Sequence, residues 1–194
     1  MEPFEYVVVL TSLILGLGIA QILTSVADII SNLKHVKLCL PHTLLTLAVF
    51  LLHIQEWWIN YQYSAVVKEW TLEIILSILV YPILLFLLAR MLFPTGIRGH
   101  ETDLNHYFFD QWRWFYGIAL ATMVVSIWQN SFIQNLTITE SWPQFVVGSI
   151  YLLFILLKIK QSWMHSVLQI ASLAGLIYFL MSDDTALHHF QSGG

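Results

Sequence analysis

Six long apolar segments constrain the fold of this chain more than any other feature of its sequence. They cover about residues 4–31, 38–60, 70–92, 114–134, 143–159 and 162–181. A helix of about 20 mostly apolar residues crosses a bilayer core and satisfies its own backbone there. The residue alternation typical of a membrane β-barrel is absent from the sequence. The sequence therefore predicts an all-α integral membrane bundle of six transmembrane helices, forming one domain over residues 1–182, with a polar tail at 183–194.

The composition excludes most other classes of protein. Only 10% of the residues are charged and 58% are hydrophobic, whereas a soluble domain carries about 25% charged residues. This argues against a soluble enzyme and a disordered regulator. The net charge of −4 includes no basic patch, so a nucleic-acid partner is not expected. A single cysteine, Cys39, excludes a disulfide framework and a multi-cysteine metal site.

The basic residues predict the orientation of the bundle. Seven of the eight Lys and Arg residues flank the connections between segments one and two, three and four, and five and six, and Lys68 is the exception. Cytoplasmic loops are enriched in Lys and Arg, so both termini are expected on the non-cytoplasmic side. The longest connection, 93–111, is expected to be a cytoplasmic loop with a short surface helix. The first segment lacks a basic leader and is longer than a signal-peptide core of about 7–15 residues.

Polar residues recur at steps of three and four within five of the six segments, which places them on one helix face. The residues of these stripes include Gly18, Gln21, Ser25 and Asp28; His42, Thr46, His53, Glu56 and Asn60; Thr122, Ser126 and Gln129; Gln144, Gly148 and Tyr151; and Ser162, His165, Gln169 and Ser172. Such stripes are typical of helix–helix packing. Helix packing alone does not explain the ionisable residues in these stripes, because each of them needs a polar partner or water inside a membrane.

The most informative cluster lies near His53. His53 and Glu56 share a helix face, and Glu73 begins the next segment at a similar depth. Four interpretations are open: a proton relay with Trp57 as a gate, a divalent metal site formed by His53, Glu56 and Glu73, an acidic ring that attracts cations, and a structural hydrogen-bond knot with Trp57 at the interface.

The main functional hypothesis is a proton or small-cation channel or transporter with a polar interior. His53, Glu56 and Glu73 form its outer site, Gln21 and Gln129 its middle, and Asp28 with His165 its inner exit. A homo-oligomer in a lipid bilayer is expected, and this hypothesis requires no cofactor.

Two alternatives belong to other classes. A non-transporting subunit would bind a protein, lipid or quinone, with His100, Glu101, Asp103 and His106 as the docking loop for a protein partner. A haem protein would use His42 and His165 as axial ligands, because two histidines at one depth are what such a site requires. No nucleophile with an adjacent base is visible in the sequence, so an enzyme is not expected.

Several motifs resemble a group of small multi-pass bacterial inner-membrane proteins of no known activity. These motifs are Glu2-Pro3-Phe4-Glu5-Tyr6, Leu15-Gly16-Leu17-Gly18 with Asp28, Pro41-His42, the stretch 53–58, and the stretch 112–115. The resemblance covers about the first two-thirds of the chain. It implies a bacterial inner membrane and a six-helix bundle, and it assigns no catalytic residue.

Overall fold

Six α-helices make up most of the chain that the structure describes. The computed structural model describes residues 3–97, 101–134 and 136–191, with side chains over 4–97, 101–134 and 136–181. The helices are α1 (Pro3–Ser31), α2 (Leu40–Val66), α3 (Leu72–Met91), α4 (Leu104–Phe132), α5 (Trp142–Leu157) and α6 (Ser162–Gln191). Four helical segments are long and apolar enough to cross a membrane: Phe4–Ser31, Leu72–Met91, Ile138–Leu157 and Ser162–Met181. The predicted all-α class is confirmed.

Helix α2 lies at the centre of the bundle, where it packs against α1, α3, α4 and α6. Its buried residues recur at helical spacing, at His42, Thr46, Val49, His53, Glu56, Asn60 and Tyr63, and all of these except Val49 are polar. A helix covered by protein on several sides does not need an apolar surface all round. This explains how α2 carries more polar residues than α1 or α3.

Large apolar side chains cover the outside of the bundle. They come from every helix and include Leu13, Leu17, Ile54, Leu76, Val124, Leu152, Leu153, Val167 and Ile170. An extended apolar exterior is costly in water and favourable in lipid. The exterior therefore agrees with the composition in indicating a membrane protein.

One end of the bundle is tied together by a short parallel strand pair. Strand β1 (Val36–Lys37) follows α1 and pairs with β2 (Thr102–Asp103), which precedes α4. We call this the strand end. Two side-chain hydrogen bonds support it: Asn32 Nδ2 donates to the Ile97 oxygen at 2.9 Å, and the Tyr107 hydroxyl donates to the Met91 oxygen at 2.7 Å.

The start of α4 differs from the predicted short surface helix. Residues 104–111 are the first two turns of α4 itself, and Leu104 and Phe108 are buried. The buried positions continue at Trp112 and Phe115, so the apolar stripe that holds α4 in the core extends to its first residue. Likewise, α6 continues to Gln191 through the predicted polar tail, although the side chains beyond 181 lie outside the described part.

Candidate functional site

His53 is fully buried on the central face of α2, and one of its ring nitrogens has no partner. Nδ1 lies 2.7 Å from the main-chain oxygen of Val49. A carbonyl oxygen only accepts, so Nδ1 carries the proton of the neutral ring and Nε2 carries the lone pair. Nε2 is buried without a hydrogen bond and faces Gly18 of α1. The site therefore contains a buried acceptor that the protein does not satisfy.

Glu56 lies one turn further along the same face. It is 3% exposed, and it is the only buried acidic side chain among those that the structure describes. Asn60 Nδ2 donates to the main-chain oxygen of Glu56 at 2.7 Å and to its Oε1 at 3.3 Å. Asn60 Oδ1 is itself buried and has no hydrogen-bond partner. Glu56 and Asn60 thus form a second polar pair, with another unsatisfied acceptor.

Basic side chains do not enter this region. All seven described Lys and Arg residues are exposed, and six of them lie towards the strand end: Lys34, Lys37, Arg90, Arg113, Lys158 and Lys160. Arg98 lies outside the described residues. Within the described ranges, no salt bridge involves Glu56. A buried carboxylate without a compensating charge is expensive, and either a proton or a bound cation would relieve that cost.

Glu73 does not join His53 and Glu56. It lies in the first turn of α3 and is exposed, whereas the other two side chains are buried. The described residues contain no group of three or more His, Cys, Asp or Glu side chains that could hold a metal ion. The metal site expected from His53, Glu56 and Glu73 is therefore wrong, because α2 continues to Val66: Glu56 lies ten residues before the end of α2, whereas Glu73 lies in the first turn of α3.

Trp57 does not line the interior either. The ring is 55% exposed, while the buried stripe of α2 runs through His53, Glu56 and Asn60. Trp57 lies beside this stripe, on the outer surface of the bundle. The gate expected from the His53–Trp57 spacing is therefore wrong, because the two side chains lie on different faces of α2.

The predicted middle residues separate into two environments. Gln129 is buried, and its Nε2 donates to the main-chain oxygen of Ser77 at 2.7 Å, which joins α4 to α3. Gln21 is half-buried and donates to Ser25 Oγ at 3.2 Å. Gln129 therefore lies within the bundle and supports its packing, whereas Gln21 lies at its margin.

His165 is enclosed by aromatic rings. Five rings lie with centroids 5.0–5.5 Å from the imidazole, those of Phe108, Phe109, Trp112, Tyr116 and Phe154. His165 Nε2 donates to the Ile159 oxygen at 3.0 Å, so Nδ1 of the neutral ring accepts from the Tyr116 hydroxyl at 2.7 Å. Both nitrogens are engaged within a rigid, apolar enclosure.

The hydrogen bonds continue from His165 across three helices. Gln169 Nε2 donates to the Tyr116 oxygen at 3.1 Å, and the Tyr151 hydroxyl contacts Gln169 Oε1 at 3.4 Å. The Tyr116 and Tyr151 rings stack at 4.5 Å. This network holds α4, α5 and α6 together. Tyr116 was not anticipated from the sequence, and only its spacing of four residues from Trp112 hinted at a shared face.

A haem is not compatible with this arrangement. An axial ligand needs a free ring nitrogen, and both nitrogens of His165 have protein partners. His42 Nε2 donates to the Leu92 oxygen at 2.7 Å. The haem expected between His42 and His165 is therefore wrong. The pairing of Asp28 with His165 as an inner exit is not evident either, since Asp28 is half-buried on α1 and His165 is fully enclosed.

The predicted docking loop forms one wall of a shallow groove at the strand end. A cavity of about 320 Å³ is lined by residues that include Glu101, Asp103, His106 and Tyr107. Asp103 caps α4 and forms an ion pair with Lys37 at 3.5 Å. These contacts give the Asp103 carboxylate a structural role. His106 pairs with Asp110 at 2.9 Å. His100 lies outside the described residues.

Comparisons with known protein families, with curated proteins and with solved structures gave no match to this chain.

Proposed function

We propose that this chain is a six-span membrane protein that passes protons or small cations through its polar interior, with Glu56 as the binding group. The observation that carries the proposal is the burial of Glu56 where the described structure offers no cationic partner. Ionised carboxylates inside a membrane protein typically accompany an ion pathway or a proton relay. Exchange of the proton or cation at Glu56 is the elementary step of this function.

The polar face of α2 supports a path on both sides of Glu56. Asn60 lies towards the end opposite the strand end, and His53, Thr46 and His42 follow towards the strand end, all buried. Hydrogen-bonding groups therefore recur along most of the central helix. A proton relay needs such groups and intervening water, and it does not require a permanently open pore.

The proposal includes the topology of the chain. Helices α2 and α4 have 27 and 29 residues, so each is long enough to cross a bilayer core of about 30 Å. The concentration of basic residues at the strand end favours a cytoplasmic position for that end. The motif resemblance supports a bacterial inner membrane.

A flux assay tests the proposal. Purified protein is reconstituted into liposomes that contain a pH-sensitive dye, and a potassium gradient with valinomycin drives proton entry. We expect wild-type flux above that of empty liposomes, and Glu56→Gln to reduce it to the empty-liposome level, because the amide cannot exchange a proton. A parallel measurement with a cation-sensitive dye covers small metal ions.

Glu73→Gln is the matched control, since it neutralises an exposed carboxylate on the adjacent helix. It should retain wild-type flux. Size-exclusion profiles establish that each variant is folded. Unchanged flux in the His53→Ala/Glu56→Gln double variant would remove the proposed site.

A further inference from the structure

We infer that the cation accepted at Glu56 is one that donates hydrogen bonds, of the hydronium or ammonium class, rather than a metal ion. This inference rests on the proposed function and specifies its substrate. It follows from the kinds of polar atom that α2 leaves unsatisfied in the core and from the charge that accompanies them.

The unsatisfied atoms on the central face of α2 are acceptors. Asn60 Nδ2 donates a hydrogen bond to Glu56, and Asn60 Oδ1 has no donor. His53 Nδ1 donates a hydrogen bond to the Val49 oxygen, and the Nε2 lone pair has no donor. An ionised Glu56 is also acceptor-only. The complement of such a site is a group that carries N–H or O–H donors.

The charge of the site points to a monovalent ion. Glu56 is the single buried carboxyl in the described structure, and the described Lys and Arg side chains stay at the surface. One positive charge therefore neutralises the site. An ammonium or hydronium ion brings that charge together with several donors, and each charge-assisted hydrogen bond is stronger than a neutral one.

A metal ion suits these atoms less well. It requires a shell of several lone-pair ligands at short distances, and the described residues contain no group of three or more His, Cys, Asp or Glu side chains able to supply one. One of the free acceptors is an imidazole nitrogen, whereas potassium, which is close to ammonium in size, is a hard cation that prefers oxygen.

Gly18 sets the position of the cation within the site. The His53 Nε2 atom packs directly against Gly18, and any side chain at position 18 would collide with the imidazole. Helix α1 therefore covers the His53 acceptor. The inference places the cation against the Glu56 carboxylate and the free Oδ1 of Asn60, with His53 as a third acceptor that becomes available when α1 moves away from α2.

A thermal-shift titration tests the inference independently of transport. Detergent-purified protein is unfolded at pH 7 in ammonium chloride or in potassium chloride at the same ionic strength, and unfolding is followed by tryptophan fluorescence. We expect a saturable rise of Tm with ammonium and an apparent affinity about tenfold tighter than for potassium, which corresponds to about 1.4 kcal/mol.

Two substitutions assign the effect to this site. Glu56→Gln removes the charge and should abolish the ammonium shift, whereas Glu73→Gln should preserve it. Asn60→Leu removes the free acceptor and should abolish the preference over potassium, and Asn60→Asp should restore it. Size-exclusion profiles identify variants that fail to fold. If Asn60→Leu fails to fold, the preference for ammonium over potassium in Asn60→Asp is the test of the Asn60 acceptor.

The outcomes separate this inference from the proposed function. Equal shifts with ammonium and potassium, or a shift that persists in Glu56→Gln, would overturn the inference even if proton flux depends on Glu56. Conversely, a Glu56-dependent ammonium shift without any Glu56-dependent flux would support the binding site and overturn the proposed passage.

Discussion

At the scale of single residues, His53 and Gly18 form a close contact between α1 and the central helix. Gly18 belongs to the buried stripe of α1, and the His53 ring occupies the space where a side chain would begin. His53 cannot turn away freely, because it is fully buried and its Nδ1 is bonded to Val49. The pair therefore fixes how closely the two helices approach.

Gly18→Ala should destabilise the protein by about 1–3 kcal/mol, the usual cost of an overpacked core. The added Cβ would lie 2.7 Å from His53 Cδ2, and still closer to Nε2. Thermal unfolding in detergent measures the effect. Gly16→Ala is the matched control, because a Cβ at that position meets nothing within 4 Å, and its stability should stay unchanged or rise slightly. Equal stability of the two variants would contradict the contact.

The spacing of His53 and Glu56 was sufficient to predict that they share a buried face, whereas Glu73 and Trp57 were misplaced. The reason is geometrical. Counting residues from a helix end gives the depth of a side chain, but the rotation of one helix about its axis relative to its neighbours depends on packing. Glu73 is exposed in the first turn of α3, whereas Glu56 lies ten residues before the end of α2, so neither the length of α2 nor the rotation of α3 was encoded in spacing alone.

At the scale of elements, the first helix shows how apolar packing overrides a polar stripe. Its buried residues are Val7, Thr11, Leu15, Gly18, Ile22, Ser25 and Ile29. The polar stripe predicted from the sequence shares only Gly18 and Ser25 with this face, and Gln21 and Asp28 lie at its flank. Since lipid solvates apolar side chains about as well as a protein interior does, close approach at small residues such as Gly18 and Ser25 favours this face of α1.

The start of α4 depends on Asp103, which connects this helix to the strand end. Its Oδ1 accepts from the main-chain nitrogens of Asn105 at 3.0 Å and His106 at 2.9 Å. The hydrogen bond from His106 holds the pKa of the Asp103 carboxyl below its usual value, and Lys37 contributes in the same direction. Ionised Asp103 is therefore the form that stabilises the helix start.

The pH dependence of stability should reflect this cap. Because the pKa is lower in the folded protein than the ordinary value of 3.8, the stabilisation is fully present above that value and is lost as the pH falls through the folded pKa. Asp103→Asn keeps a capping oxygen but has no charge to titrate. We expect a smaller loss of Tm between pH 5 and pH 3 in Asp103→Asn than in the wild type.

Glu101→Gln is the control for this measurement, because Glu101 is an exposed carboxylate of the same connection. It should show the wild-type loss of Tm on acidification. An identical loss in Asp103→Asn would mean that other carboxyl groups dominate the acid response.

At the scale of the whole molecule, the number and order of the six helices were predictable from apolar runs, whereas the start of α4 at Leu104 and the end of α6 at Gln191 were not. The packing of the other helices around α2 was not predictable. Polar residues mark α2 as the central helix, but the same residues lower its hydropathy and make it resemble a membrane span less. The enclosure of His165 was equally hidden, since its rings come from residues 108 to 154 on two other helices. Contacts between distant segments leave no local pattern in a sequence.

The proposed six-span topology predicts which surface positions share a side of the membrane. In a Cys39→Ser background, Lys34→Cys and Lys158→Cys should be protected from an impermeant maleimide added to cells with a permeabilised outer membrane. Lys68→Cys and Glu140→Cys should be labelled. All four side chains are exposed, so protection reports the bilayer rather than burial in the protein. Labelling of positions 34 and 68 from one side would show that α2 does not cross.

The positions of β1 and β2 in the chain determine when the strand pair can form during synthesis. Val36 bonds to Thr102, so β1 has no partner until the ribosome has released α1, α2, α3 and the connection that follows them. Strand β2 precedes α4, α5 and α6 in the chain, so the pair can form before those helices are synthesised. In the folded protein α5 packs against α4 and α6 packs against α2, and the aromatic and hydrogen-bonded contacts of both helices with Tyr116 complete the bundle.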